Sequence, residues 1–117
     1  MASFLTKTQS EGKNVYKICF YVPATHVEPV KNAMFANGAG KIGLYSCCAW
    51  QIVGEGQFMP LEGSNAYIGE QHQLEKITEY KVEMVCDEDH IHAVISALKQ
   101  SHPYEEPAYQ VFKMENF

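Results

Sequence analysis

The order of patterned segments, β, α, β, long loop, β, α, β, predicts an α+β fold. It is a ferredoxin-like βαββαβ sandwich, a four-stranded antiparallel sheet carrying two helices on one face. Two kinds of segment carry this prediction. VYKICFYV at 15–22 is a β-branched and aromatic run of the buried-strand kind, and TEYKVEMVC at 78–86 alternates Tyr80, Val82, Met84 and Cys86 with Glu79, Lys81, Glu83 and Val85. Each is followed by apolar residues at helical spacing: Val27, Val30, Ala33 and Met34 after the first, Ile91, Val94, Ile95 and Leu98 after the second. The chain has 117 residues, enough for one domain and too few for two ordinary ones.

Taken in order, residues 1–14 (MASFLTKTQSEGKN) are expected to form a flexible polar tail ahead of a single domain at 15–117. The tail has no apolar stretch of the secretory-signal kind. Pro23 closes the first strand, and Thr25 with Glu28 three residues on reads as a capping box opening a helix at 26–37. Pro29 falls in the first turn, where its missing N–H costs little, and Asn37-Gly38 ends the helix. Gly38, Gly40 and Gly43 then spell GxGxxG, yet they follow a helix and precede a strand at 44–53, the reverse of a dinucleotide-binding context. Glycines for a tight turn with positive φ are the better account.

A loop is expected at about 54–76, rich in Gly, Pro and polar residues. Phe58, Leu61, Tyr67, Ile68 and Leu74 would be hard to leave solvated together, so they are expected to pack on the domain or on another subunit. Asp87, Glu88 and Asp89 stand where a helix macrodipole favours acids, ahead of a helix at 88–101. A last strand is expected at 108–114.

Between that helix and that strand lies HPYEEP, with His102, Pro103, Tyr104, Glu105, Glu106 and Pro107 on one stiff bend. Pro103 stops the helix and biases His102 away from helical backbone, while Pro107 fits only the start or edge of a strand. Two readings stay open here: a rigid connection, or a set of groups offered to a ligand or partner.

Bulk composition excludes some classes. Net charge is −5 and every basic residue is a lysine, which argues against nucleic acid, whose recognition needs a basic face and leans on guanidinium forks. No run approaches the roughly 18 apolar residues of a membrane span. Cys19, Cys47, Cys48 and Cys86 make neither a CxxC nor a disulfide framework, and read as reduced thiols of a cytoplasmic protein, mostly core filler.

GAGKIGLYSCC, GEGQFMPLEGSNAYIG, LEKITEYKVEMV and HPYEEPAY together resemble the insert domain of the YqfO (NGG-one-interacting-factor-three-like) family, over about 17–112. The shorter His-Pro-Tyr-Glu-x-Pro resembles the same position in CutA proteins. The resemblance implies a PII- or CutA-type domain that tends to form trimers, here as a free-standing copy without the two larger lobes that hold the family's two-metal centre. The hydrolase-like activity attributed to that centre is not carried over. Met59 stands where relatives often have an arginine, so an anionic-ligand role is not carried to it.

The motifs supply ligand or interface candidates: Gly38, Gly40, Gly43, Tyr45, Cys47, Phe58, Pro60, Gly69, His102, Tyr104, Glu105 and Glu106. A divalent metal is the alternative ligand, with His102, Glu105 and Cys47 as candidates assembled across the fold, since no HExxH or finger spacing exists. A cysteine nucleophile, Cys47 or Cys48 beside His102, is the remaining alternative. The main expectation is a small oligomeric binding or regulatory module that is not itself an enzyme. It would self-associate as a trimer, with a dimer second.

Overall fold

The computed structural model describes residues 13–117; the expected tail lies outside the described residues apart from Lys13 and Asn14. Those two are held: Asn14 exchanges backbone bonds with Glu88, through Glu88 N–H to the Asn14 carbonyl (2.9 Å) and Asn14 N–H to the Glu88 carboxylate (2.9 Å), and Lys13 pairs with Asp89.

The elements are β1 (Val15–Pro23), α1 (Val27–Ala36), β2 (Trp50–Phe58), β3 (Glu75–Asp87), α2 (Ile91–Ser101) and β4 (Tyr109–Met114). They form one four-stranded sheet in the order β2-β3-β1-β4, with every neighbouring pair antiparallel. This is the ferredoxin-like sandwich expected from the sequence. Burial explains it. Ile18, Phe20 and Val22 of β1 and Val82, Met84 and Cys86 of β3 face one side, where Val27, Val30 and Met34 of α1 and Val94 and Leu98 of α2 close over them. Side chains at i and i+2 share a face, so the opposite, helix-free face carries Lys17, Cys19, Tyr21, Glu79, Lys81 and Glu83. Burial pushes the Cys86 thiol up to about 11, with the Asp87 charge adding to it, as suits a core filler.

Both helix starts depart from expectation. Thr25 does not cap α1; its hydroxyl meets His26 Nδ1 at 2.8 Å, and His26 occupies the cap position without a side-chain bond. The acids do not open α2 at residue 88. Asp87–His90 instead make a turn in which the Asp87 carboxylate accepts the His90 N–H at 3.0 Å, and the helix begins at Ile91. The end of α1 is as expected: Gly38 at φ +114° lets the Gly38 and Ala39 N–H groups reach back to the Phe35 and Met34 carbonyls, both at 3.1 Å.

The second strand begins six residues later than expected and runs through Gly54 and Gly56 to Phe58. Gly40 explains the late start. Its N–H takes the Val85 carbonyl at 2.8 Å and its own carbonyl takes the Cys48 N–H at 2.8 Å, so the 41–49 segment is turned off the edge of β3. The loop is therefore Met59–Leu74, shorter at both ends than 54–76. Among the described residues no helix is long and apolar enough to cross a membrane.

Candidate functional site

The site forms where the HPYEEP bend and the loop fold over one end of the open sheet face. β1 delivers Tyr21 to that end, β3 delivers Glu79, and β2 delivers Phe58. The Tyr21 N–H donates to the Ala108 carbonyl at 3.2 Å, which ties the exit of the bend to β1. Asn65 N–H donates to Glu105 Oε1 at 3.1 Å and fastens the loop to the bend. A pocket of about 260 Å³ lies between them, lined by Tyr21, Gln57, Phe58, Pro60, Ser64, Ala66, Tyr67, Ile68, Glu79, Tyr104, Glu105, Glu106 and Ala108.

Its wall is aromatic. Phe58 and Tyr67 lie 6.0 and 6.3 Å from Tyr104, inclined by 54° and 45°, and His26 meets the far edge of Tyr67 at 5.8 Å. Tilted rings at these separations are favourable and hold a concave surface. Glu79 reaches in across Gly56: a Cβ there would collide with the carboxylate, which is why a glycine is tolerated inside β2.

Two buried side-chain oxygens, Ser64 Oγ and Tyr104 OH, have no hydrogen-bond partner among the described residues, and both line this pocket. Burial raises the Glu79 carboxyl above the usual range, and the neighbouring Tyr104 hydroxyl only partly offsets it. Burial, then the charge of Glu79, raises the Tyr104 phenol. The phenol lies beside Glu79 without making a hydrogen bond of good geometry, so both groups remain available to something else. Burying such groups unpaired is costly.

His102 is placed differently from expectation. It is only 6% exposed, Nε2–H donates to the Tyr21 carbonyl at 2.7 Å, and Nδ1 accepts the Tyr104 N–H at 3.1 Å. Both ring nitrogens serve the fold, so the ligand-facing role expected for His102 is corrected to a structural one. Burial lowers its pKa, against the Tyr21 bond, with His26 adding to the lowering. His102 thus ties the bend to β1 and to itself.

Of the other expected residues, Phe58, Pro60, Tyr104, Glu105 and Glu106 come together in the pocket. Gly69, at φ +93°, packs against Glu75 beside it. Gly38, Gly40, Gly43, Tyr45 and Cys47 lie in the turn at the opposite end of β3. Gly40 bonds Val85, whereas His102 bonds Tyr21, whose partner on β3 is Lys81. Four residues of strand separate them by about 13 Å. Cys47 and His102 thus form no nucleophile–base pair, and His102, Glu105 and Cys47 do not converge as metal ligands. Among the described residues no group of three His, Cys, Asp or Glu side chains could hold a metal ion. Sequence reasoning missed Tyr21, Ser64, Tyr67 and Glu79 as site residues. Glu79 carried one signal, two glycines in the strand it pairs with.

No family model matches the chain. It is similar to proteins named GTP cyclohydrolase 1 type 2 homolog: 42% identical over 104 residues in Halalkalibacterium halodurans, covering 89% of this chain and 28% of that protein, and 44% over 98 residues in Mycobacterium leprae, covering 84% and 26%. The chain spans little more than a quarter of the length of these curated relatives. Among solved structures, a Bacillus cereus protein related to NIF3 superposes with a TM-score of 0.77 at 38% identity, over 89% of this chain and 26% of that one. The periplasmic divalent cation tolerance protein CutA from Archaeoglobus fulgidus (TM-score 0.63, 15% identity, 88% and 86% covered) and Bacillus subtilis GlnK (0.58, 12%, 86% and 85%) share the fold.

Proposed function

We propose that this chain is a self-associating binding or regulatory module of the PII/CutA type, corresponding to the insert of YqfO-family proteins, and that it takes a small molecule in the pocket between bend and loop. The observation that supports it most is the meeting of a small apolar pocket with the two orphaned hydroxyls and a desolvated carboxyl, the usual composition of a ligand site. The fold shared with CutA and GlnK and the 38% identity to the NIF3-related protein support the same reading. The cyclohydrolase activity in the relatives' names is not carried to a chain matching about a quarter of their length.

Self-association is supported by the open sheet face, where Trp50, Ile52, Phe112 and Met114 flank the Lys17–Glu83–Lys81 charges and no element among the described residues covers them. A trimer is preferred and a dimer comes second. Four free cysteines support a reducing, cytoplasmic setting.

A thermal-shift screen with nucleotides, divalent metals and small organic molecules tests the binding half. A ligand at a hundred times its Kd should raise Tm on the order of 10 °C, and Tyr67→Ala should remove the shift. A screen in which no compound shifts Tm, or in which every shift survives Tyr67→Ala, would count against the pocket.

A further inference from the structure

The chemistry of the pocket lining points to the class of ligand. Three carboxylates, Glu79, Glu105 and Glu106, stand around it, together with the rings of Tyr21, Phe58, Tyr67 and Tyr104, and no lysine among the described residues lines it. Arginine is absent from the whole chain. The next outward-facing residue of β3 after Glu79 is Lys81, whose ammonium turns to Glu83 at 3.7 Å, further along the sheet. An anion entering this pocket would meet acids and the negative faces of aromatic rings with nothing to neutralise it. A cation would meet the reverse: ring faces attract positive charge, and they do so most strongly where water is displaced.

We infer that the pocket is a cation-recognising aromatic cage whose ligand is a small organic ammonium, a methylated amine of the choline kind, bound between Tyr67, Tyr104 and Phe58 and charge-paired with Glu79. This deepens the binding-module reading and rests on it. The ring arrangement suits the role, because Phe58 and Tyr67 stand 6.0 and 6.3 Å from Tyr104, inclined by 54° and 45°, and all three line the one pocket. Glu79 suits it as well. Its carboxyl is desolvated and has no cationic partner among the described residues, so a bound ammonium would supply a countercharge. The orphaned Tyr104 and Ser64 oxygens offer acceptors to a ligand hydroxyl or N–H. A bare metal ion fits less well, since only Glu105 and Glu106 are adjacent and one Glu105 oxygen already holds the Asn65 N–H. Its wall is ring carbon where a divalent cation needs oxygens.

The test is isothermal titration of the full chain with choline, with its uncharged carbon isostere 3,3-dimethylbutan-1-ol, and with ATP. Backbone NMR shifts would locate each. Choline should bind about tenfold or more tighter than the isostere, with shifts confined to the bend and the loop around Tyr67. Glu79→Gln should weaken choline by a similar factor and leave the isostere unchanged. Should Glu79→Gln fail to fold, Tyr67→Ala serves, because that ring is 54% exposed and its removal leaves the core intact. Equal binding of choline and isostere, or tighter binding of ATP at the same residues, would overturn the cation assignment while leaving a binding module. Choline affinity unmoved by Glu79→Gln, or by Tyr67→Ala where that variant serves, would overturn it too. Failure of all three probes to bind would overturn the cation assignment, and silence in the wider screen as well would remove the binding reading itself.

Discussion

His102 holds the bend by two bonds, one donated and one accepted. Its Nε2–H serves the Tyr21 carbonyl and its Nδ1 serves the Tyr104 N–H, both in a largely buried setting. His102→Ala strands a carbonyl and an N–H, and should cost on the order of 2–4 kcal/mol by urea denaturation. Protonation does similar damage, because Nδ1 would turn from acceptor to donor opposite an N–H. Its folded pKa is depressed, so the unfolded chain binds the proton more readily. The stability contributed by neutral His102 is therefore full above about 6.5, is lost as pH falls from there through the lower folded pKa, and then levels off. A stability profile flat between pH 7 and 5 in wild type, or unchanged by His102→Ala, would refute this. Tyr104 behaves in the opposite sense. Its buried hydroxyl has no partner among the described residues, so Tyr104→Phe removes an unsatisfied group and should be neutral or stabilising by up to about 1 kcal/mol. A loss of 1 kcal/mol or more would mean that the phenol has a partner. Glu79 has a raised folded pKa, so its carboxyl favours folding at low pH and opposes it as pH rises above about 4.5. Glu79→Gln should accordingly gain stability at pH 7 relative to pH 4.

The elements owe their lengths to contacts made at their ends. β2 is displaced toward the loop because Gly40 occupies the Val85 carbonyl that a longer β2 would approach. Gly40 sits at φ +80° with the Phe35 ring and the Cys48 N–H close to where a Cβ would project. Gly40→Ala should therefore cost on the order of 2 kcal/mol by chemical denaturation, from left-handed strain plus the displaced ring. A cost below about 0.5 kcal/mol would show that the turn does not set the start of β2. The helices show what pattern alone can read. Val27, Val30 and Met34, and Val94 and Leu98, lie on the core as their spacing requires, and Gly38 stops α1 where a positive φ is needed. Their first turns were less legible. A Thr-x-x-Glu or a run of acids competes with neighbouring side chains, and here His26 took the Thr25 hydroxyl and Glu88 and Asp89 were drawn to Asn14 and Lys13.

At the scale of the molecule, one sheet face is covered by two helices, and among the described residues the other carries only the bend and the loop over one end. Trp50 and Ile52 on β2 are 56% and 50% exposed and Phe112 on β4 is 54% exposed, on either side of the Lys17–Glu83 ion pair. Light scattering at tens of micromolar should give a mass above one chain, with three chains favoured over two. Ile52→Glu should shift it toward the monomer without altering the circular dichroism spectrum. A monomer mass for the wild-type chain would end this proposal. The sequence by itself determined the strand–helix order, hence the sandwich, because periodicities of two and 3.6 are local properties that burial on one face imposes directly. It also placed the bend, because proline acts on its own neighbours. It could not decide what faces the pocket. Tyr21 is brought to Tyr67 and Glu79, 46 and 58 residues further along the chain, by strand register and loop closure, and His102 was turned inward because β1 presented a carbonyl in reach. Those are long-range choices. They depend on which donors and acceptors remain unpaired once the sheet has formed.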